Sequence, residues 1–571
     1  MTTSRFDGDE GKTLVLEYDL FDLPTAQHKA GLAGLLLVIE SMKRRGLEPR
    51  PEVEVRATSA TVRTDREGLQ ALFDDLYDAE WAETSSTQKW QGKPPKRLEE
   101  REVTAEGKRK KEKRFVYDVV QPKGAFLSTF YPPTAGLWVK LWRDMIWNVQ
   151  RSRPKARLVY EERAQGEASS VGALWFDLEK ASKERSRGRM RTAGFGGSLF
   201  IGAQDSNAER VSFGGVVEEN LLLHFWPAIA AIYAPRRLKI ERGPEGLQSK
   251  SDDAGFVVVI PEPGHLEDFL ADSIGALGTV DPTARGNDYR PKAGLIDVPA
   301  EGGLEYLYHL AMHKAAKREL SDTLVAVEFY HLEKKGNNVR MLAAERLAPR
   351  SNTLEKYGRL RDQWASPLYK EVRLPNLLAE APWFQGFDRA FAQHPWQLFV
   401  QTKGTPTWPR FFGRDVRSAF QAIEDRDLSK KGGDSMTEEE RLDALATRVY
   451  RLIRDYANAR TEGKSGKKYQ DFKGNRDEKG RVVYPTEYRE AREKVCSDAF
   501  LAMRGRRDQD FVEYFTGTVC AVPHFLPEEE YLAITQALLS DWQTVKTLSM
   551  LALSAASSLS PNTSAPQEDA P

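Results

Sequence analysis

Histidine, cysteine, serine and paired carboxylates carry most covalent and metal chemistry, and in this chain they fall into no working pattern. His309 and His313 stand four residues apart on an expected helix, as zinc ligands do. A zinc protease carries glutamate directly after the first histidine; here that residue is Leu310, so the pair reads as structural. His28, His224, His265, His331, His394 and His524 show no ligand spacing. No Ser/His/Asp order and no Gly-x-Ser-x-Gly elbow is present. The glycine-rich stretch Gly194 to Ser198 lacks the Gly-Lys-Ser/Thr ending of a phosphate loop and reads as tight turns or bulges. With Asn207 and the Phe213 to Gly215 segment, its other reading is a loop that approaches DNA closely. No catalytic residue, metal ligand or cofactor is assigned. A nuclease built on scattered carboxylates stays open as an alternative.

The basic residues give the better signal. Arg151, Arg153, Lys155 and Arg157 follow a tryptophan-rich segment. Lys180, Lys183, Arg185, Arg187, Arg189 and Arg191 form a second run broken by one acid, Glu184, and Arg236, Arg237 and Lys239 a third. Charge runs are commonly solvated faces. The excess of arginine in the second favours phosphate contact, because guanidinium groups bind phosphate in a fixed fork. Further on, Arg451, Arg454, Tyr456 and Arg460 precede Lys464, Lys467 and Lys468, then Tyr469, Phe472, Lys473 and Arg476. Basic groups interleaved with aromatics suit single-stranded nucleic acid, where bases stack and cations hold phosphates. The plainer reading is a solvated loop between helices.

The elements that must position these groups define an α+β chain: mixed α/β N-terminal and middle regions, then a helical bundle. The N-terminal α/β region is placed at 1–150. It opens with a strand, Thr13 to Leu20, then Pro24, then Thr25 where a helix N-cap belongs. Leu32, Leu35, Leu36, Ile39 and Met42 repeat at helical spacing. Ala30, Gly31, Ala33 and Gly34 leave one helix face nearly bare, which predicts another backbone packed closely there. A strand over Val53 to Val62, a helix over Arg66 to Trp81, a charged insertion or hairpin arm over Thr84 to Arg114, a strand over Phe115 to Val120 and a helix over Leu137 to Val149 follow. The middle α/β region, 151–425, carries an expected helix from Val216 to Tyr233 and a buried strand from Phe256 to Ile260. It ends with a hairpin: Leu324 to Leu332 and Val339 to Leu347 flank Lys335-Gly336-Asn337-Asn338. A polar linker, 426–436, leads to a bundle of about four helices at 437–554. Its first helix begins with Glu438, Glu439 and Glu440, and the others are expected at Glu487 to Met503, Asp508 to Thr518 and Glu528 to Ser554. The tail, 555–571, is rich in Ser, Pro and Ala and reads as disordered.

Composition narrows the function classes. The chain of 571 residues has room for two or three domains. Two cysteines, Cys496 and Cys520, leave no disulfide framework and read as buried thiols in a reducing cytoplasm. Met1 to Lys12 is polar and acidic, unlike a secretory signal, and charges cut every apolar pattern short of the roughly 20 residues a membrane span needs. The expected location is cytoplasmic, away from membranes. With 84 basic and 84 acidic residues, nucleic-acid contact must come from local clusters.

The run Leu23-Pro-Thr-Ala-Gln-His-Lys-Ala-Gly-Leu-Ala-Gly-Leu35 resembles the N-terminus of the large subunit of type I CRISPR effector complexes, in the Myxan branch. Chain length and the C-terminal pattern agree. The resemblance implies a non-enzymatic subunit of an RNA-guided surveillance complex. Its partners would be crRNA, target DNA, the backbone subunits and a recruited helicase-nuclease. The N-terminal part would help recognise the protospacer-adjacent motif, and the bundle would stabilise the R-loop. Glycine- and asparagine-containing loops read that motif in related subunits, which makes Asn207 a candidate. Gln27, His28 and Lys29 are the residues of the signature helix expected to be free for a partner, with helix-start hydrogen bonding as the alternative for His28. One member of the branch carries a developmental name, so a regulatory role outside interference is a second alternative.

The linker carries another signal. Gly432, Gly433 and Asp434 can be encoded by GGA-GGU-GAY, a strong bacterial ribosome-binding sequence, at workable spacing before Met436. Internal starts occur in several type I branches. A separate small subunit translated from Met436 is therefore expected, against the reading of an ordinary linker.

Overall fold

The computed structural model of the chain describes residues 2–7, 13–105, 108–130, 136–152, 154–203, 213–243, 246–279, 294–313, 318–336, 338–361, 366–400, 408–425, 436–478 and 482–559. Its contacts divide it into two units: Met1–Arg236 with Asp253–Ser351, and Arg237–Asp252 with Asn352–Pro571.

The first unit is built around the helix Ala26–Arg44. Thr25 caps it, its side chain accepting from the His28 amide. The bare face predicted from the glycines exists for the predicted reason. A Cβ on Gly31 would stand 2.2 Å from the Leu222 carbonyl oxygen, and one on Gly34 2.1 Å from that of Phe225. The helix thus lies backbone-to-backbone on the segment before Trp226–Ile229, and it also packs on the wholly buried strand Phe256–Pro263.

Two sheets flank this helix in the sequence. One is antiparallel, in the order Thr3–Asp7, Thr13–Asp19, Ser59–Thr64, Glu52–Val55. The single strand expected over Val53 to Val62 is therefore a hairpin, turned where the Arg56 amide bonds the Ser59 carbonyl at 2.8 Å. The other sheet pairs Phe256–Pro263 with Leu324–Lys335, and that strand with Asn338–Leu347. The expected hairpin is present, with Gly336 at φ 64°.

Two expected helices stop early. Arg66–Leu76 ends before Trp81; the chain turns at Asp78 and enters the strand Ala79–Ser86. The segment expected as one helix from Val216 breaks into three short turns, Val217–Asn220, Leu221–His224 and Trp226–Ile229. Pro227 brings no amide hydrogen to continue a ladder, and Ala231 begins a strand. The charged insertion takes the form of an arm: Arg97–Ala105 and Lys108–Pro122 pair antiparallel, and Ala79–Ser86 pairs along the other side of Lys108–Pro122. The tryptophan helix runs over Gly136–Met145 and widens into a π turn at Ile146–Gln150.

The second unit is helical. Glu438–Ser465 begins with a reciprocal box: Thr437 caps the Glu440 amide and Glu440 caps that of Thr437. Thr486–Gly505, Asp508–Tyr514, Glu528–Ser540 and Trp542–Ser557 follow. The last two were expected as one helix. Asp541 leaves helical geometry at φ −146° and caps the second through the Thr544 amide. That helix runs to Ser557 with Ala555 and Ala556 buried, so the tail does not begin at 555; residues 560–571 lie outside those described.

The core of this unit draws on Phe387, Phe391, Phe399, Phe412, Val416 and Phe420 as much as on residues after 437. The composition change near Asp425 falls inside one compact unit, and residues 426–435, where the linker is expected, lie outside those described. The helix Trp408–Glu424 lies so close to the last helix that a Cβ on Gly413 would stand 2.4 Å from the Ser554 carbonyl. Arg417 and Arg492 donate to the Ala555 and Ala556 carbonyls at 2.5 and 3.0 Å, satisfying helix-end acceptors. No helix among the described residues is long and apolar enough to cross a membrane.

Candidate nucleic-acid interface

The arginine run sits at the C-terminal end of the helix Leu174–Arg185 and in the turn after it. Helix geometry sends successive residues to different faces, so the run is divided. Arg185 points inward. Its Nε donates to Glu218 Oε1 at 2.9 Å, with Arg185 15 % and Glu218 1 % exposed. Ser4 Oγ donates to the same oxygen at 2.8 Å, and Tyr18 donates to the Glu218 carbonyl at 2.8 Å. Arg191 is held by Glu184 at 3.1 Å and Asp177 at 3.3 Å, and Lys183 by Glu179 at 2.6 Å. Arg187 and Arg189 are exposed on either side of Gly188, whose φ of 75° turns the chain, and neither has an ion pair among the described residues.

This turn runs directly into the glycine-rich stretch. Thr192–Gly194 pairs with Gly214–Val216 as a two-stranded ribbon. Asn220 Nδ2 donates to both strands, to the Ala193 carbonyl at 3.0 Å and the Gly215 carbonyl at 3.1 Å. The loop beyond is tied down by side chains from remote segments. Gln27 donates to the Ile201 carbonyl at 3.0 Å and accepts from the Ile201 amide at 2.9 Å. Trp226 Nε1 donates to the Leu199 carbonyl at 2.7 Å, and Arg151 to that of Ser198. Arginine turn, first ribbon strand and glycine-rich loop thus follow one another in the chain, and the loop is tied down at Ser198, Leu199 and Ile201.

The expectation that Gln27, His28 and Lys29 are free is overturned. Gln27 is buried in the loop clamp. His28 is buried beside Thr25 Oγ1 at 2.7 Å, and burial lowers its pKa to about 4, so near neutral pH it offers phosphate no cation. Lys29 Nζ lies 2.8 Å from Glu262, which Arg346 also reaches at 2.6 Å. Two members of the first basic cluster are also engaged within the protein. Arg151 is buried, and Arg157 donates to the Arg151 carbonyl at 2.7 Å and lies over the Trp147 ring. Lys155 stands on the helix Pro154–Ala164. Arg153 and Asn207 lie outside the described residues. In the third cluster Arg236 pairs with Asp297 at 3.0 Å and Lys239 with Asp252.

In the second unit, Arg451 is held by Glu424 at 3.1 Å and Glu530 at 3.5 Å, and Lys467 by Glu487 at 2.9 Å. Arg454 and Arg460 are exposed and rest on Tyr450 and Tyr456. Lys464 and Lys468 are exposed as well. Phe472, expected to stack on bases, is buried among Tyr469, Tyr484 and Tyr488 at ring distances of 5.7, 5.9 and 4.7 Å. His309 Nε2 lies 3.1 Å from Glu305, its neighbour one turn back. No group of three or more metal-binding side chains comes together among the described residues.

Sequence reasoning missed Glu218, the carboxylate that divides the arginine run, and Gln27 as a loop clamp. Glu218 lies 33 residues after Arg185 and Ile201 lies 174 residues after Gln27, so no local spacing announces either pairing.

Two family models match the chain. The type I-B CRISPR Cas8b N-terminal domain covers residues 51–320, and the type I-B CRISPR Cas8b C-terminal domain covers residues 324–556. The chain belongs to the Cas8b family, the large subunits of type I-B CRISPR Cascade complexes. The signature run at Leu23 to Leu35 lies before the matched residues, so the matches are independent of it. No curated protein matches the chain.

Proposed function

We propose that this Cas8b chain is a non-catalytic subunit that tests the protospacer-adjacent motif on duplex DNA with its arginine turn and glycine-rich loop. Its C-terminal bundle holds the displaced strand of the R-loop, and the assembled complex recruits a helicase-nuclease. The crRNA supplies sequence specificity by pairing, and the protein supplies a short duplex check and phosphate contacts, the division of labour seen in single-protein effectors. The observation that carries the reading is the split of the arginine run. Buried Glu218 holds Arg185, the surface carboxylates Asp177 and Glu184 hold Arg191, and Arg187 and Arg189 face solvent where the turn enters a clamped ribbon. A fixed backbone with few side chains lets a DNA groove come close, and two guanidinium groups beside it match phosphate. On the bundle, Arg454, Arg460, Lys464 and Lys468 are the phosphate-binding set. Duplex binding by the reconstituted complex tests the reading: the Arg187→Ala, Arg189→Ala double variant weakens binding and flattens its salt dependence. An unchanged salt slope assigns those arginines to a solvated face and ends the proposal.

The same message yields, on this reading, a separate small subunit from Met436. Met436 directly precedes the capping residue Thr437, so a product starting there keeps its first helix cap intact. Synonymous recoding of Gly432 and Gly433 removes a short product on an immunoblot; absence of that product from the unaltered gene refutes the idea.

A further inference from the structure

The loop at 87–96 joins Ala79–Ser86 to Arg97–Ala105 and carries three lysines and no carboxylate. Three hydrogen bonds tie it to the strand Lys108–Pro122. The Trp90 amide donates to the Tyr117 hydroxyl at 2.7 Å, Lys93 Nζ to the Asp118 carbonyl at 2.6 Å and the Lys96 amide to the Val116 carbonyl at 2.7 Å. Pro94 and Pro95 stiffen it further. Trp90 thereby lies flat on Tyr117, with ring centroids 4.2 Å apart and 4° between the planes. Tyr117 is buried and fixes the inner face of the indole, whereas Trp90 itself stays 37 % exposed, on the side away from Tyr117. The carboxylates nearby are taken, Glu83 by Lys96 and Arg97 and Asp118 by Lys96. Lys93 is exposed and bonds a neutral carbonyl, and Lys89 is exposed with no ion pair among the described residues.

We propose that the open face of Trp90 stacks an unpaired base of single-stranded nucleic acid, with Lys89 and Lys93 against the flanking phosphates. A flat aromatic face held from behind suits a planar partner, because stacking rewards parallel rings and a preformed platform loses little freedom on binding. Two lysines without carboxylate partners beside that face call for an anion, and a single strand brings base and phosphate together at every nucleotide. In a duplex each base is already stacked on its neighbours, so the occupant is unpaired. Guide RNA and displaced DNA share this chemistry. The inference rests on the reading that the chain meets nucleic acid within Cascade. It is tested on single strands and the arginine turn on duplex, so either can fail alone.

Binding of short oligouridine and oligothymidine to the full-length chain tests it. Trp90→Leu keeps apolar bulk and loses the ring, and it is expected to weaken binding about tenfold with the salt slope unchanged. Trp90→Phe keeps a ring and is expected to stay within about threefold of the natural chain. A loss confined to oligouridine assigns the guide RNA, one confined to oligothymidine the displaced strand, and a loss on both a platform indifferent to the sugar. Equal affinity of the Trp90→Leu and unaltered chains, or no binding of either strand, overturns the proposal. Should Trp90→Leu misfold, photo-crosslinking of an iodouracil-substituted strand to the unaltered chain decides. The adduct is expected on Trp90; adducts only elsewhere, or none, overturn the proposal.

Discussion

Gly31 meets Leu222 so closely that a methyl group on Gly31 would stand 2.2 Å from the Leu222 carbonyl oxygen. The contact is backbone against backbone and cannot relax by a rotamer change. Gly31→Ala is therefore expected to destabilise the first unit by about 1–3 kcal/mol, although alanine is the better helix former. Gly463, inside Glu438–Ser465, has open space where its Cβ would be. Gly463→Ala is expected to stabilise the second unit by about 0.5–1 kcal/mol. Urea unfolding of both variants checks the opposite signs.

The divided arginine run predicts two separable phenotypes. Losing Arg187 and Arg189 together is expected to reduce the salt slope of duplex binding by about 2, with thermal stability unchanged. Arg185→Ala leaves Glu218 buried without its cation and is expected to destabilise the fold by about 3 kcal/mol. Parallel melting curves and salt titrations separate the roles; equal melting temperatures for all variants would contradict the buried assignment.

The two units are expected to respond to acid in opposite directions. Burial pushes the Asp415 carboxyl up to about 7, against the Ser366 amide and Arg414 that favour its charged form. The folded second unit keeps a proton that the unfolded chain releases near pH 4, so its stability falls as pH rises from about 4 to about 7, by about 4 kcal/mol in all. Burial lowers His28 to about 4 and His224 to about 3 in the first unit. The unfolded chain gains those protons below about pH 6.5 and the folded one refuses them, so stability there falls as pH drops, by about 1.4 kcal/mol per unit for each histidine. Denaturant series at pH 4.5 to 7.5, read by unit-resolved hydrogen exchange, measure both slopes. Asp415→Asn is expected to abolish the second-unit contribution.

A product beginning at Met436 lacks the helix Trp408–Glu424 and with it Phe412, Val416 and Phe420, all fully buried against the bundle. It also loses Arg417 from the end of the last helix. Such a product is expected to melt well below residues 352–571 and to bind an apolar dye, unless a partner covers the vacated face. A monomer as stable as the longer fragment would show that the bundle folds without that helix.

Local signals were legible and remote pairings were not. Thr25, the Lys335 to Asn338 turn and the glutamates after Thr437 act within one turn of chain, and each marks its element correctly. Gly31 and Gly34 even announced a close neighbour, through the absence of side chains rather than through what they touch. Helix stops failed where a residue outside the periodic pattern decided them, as Pro227 and Asp541 do. The site was half legible. Arginine composition picked out the run as a candidate, but which of its members stay unpaired depends on Glu218, Asp177 and Glu184, and only folding shows which guanidinium each carboxylate takes. Phe472 failed likewise, because its aromatic neighbours at 484 and 488 claim it before any base can.

The glycine seam also sets a schedule for synthesis. Ala26–Arg44 leaves the ribosome with its apolar face uncovered, and the backbone that fills the Gly31 and Gly34 notches is made only when Leu222 and Phe225 arrive. At about 5–20 residues per second, the roughly 190 intervening residues impose a wait of about 10–40 s. For that interval the nascent chain displays Leu32, Leu35, Leu36 and Ile39 to the cell, and a chaperone that holds apolar helices has its natural opportunity there.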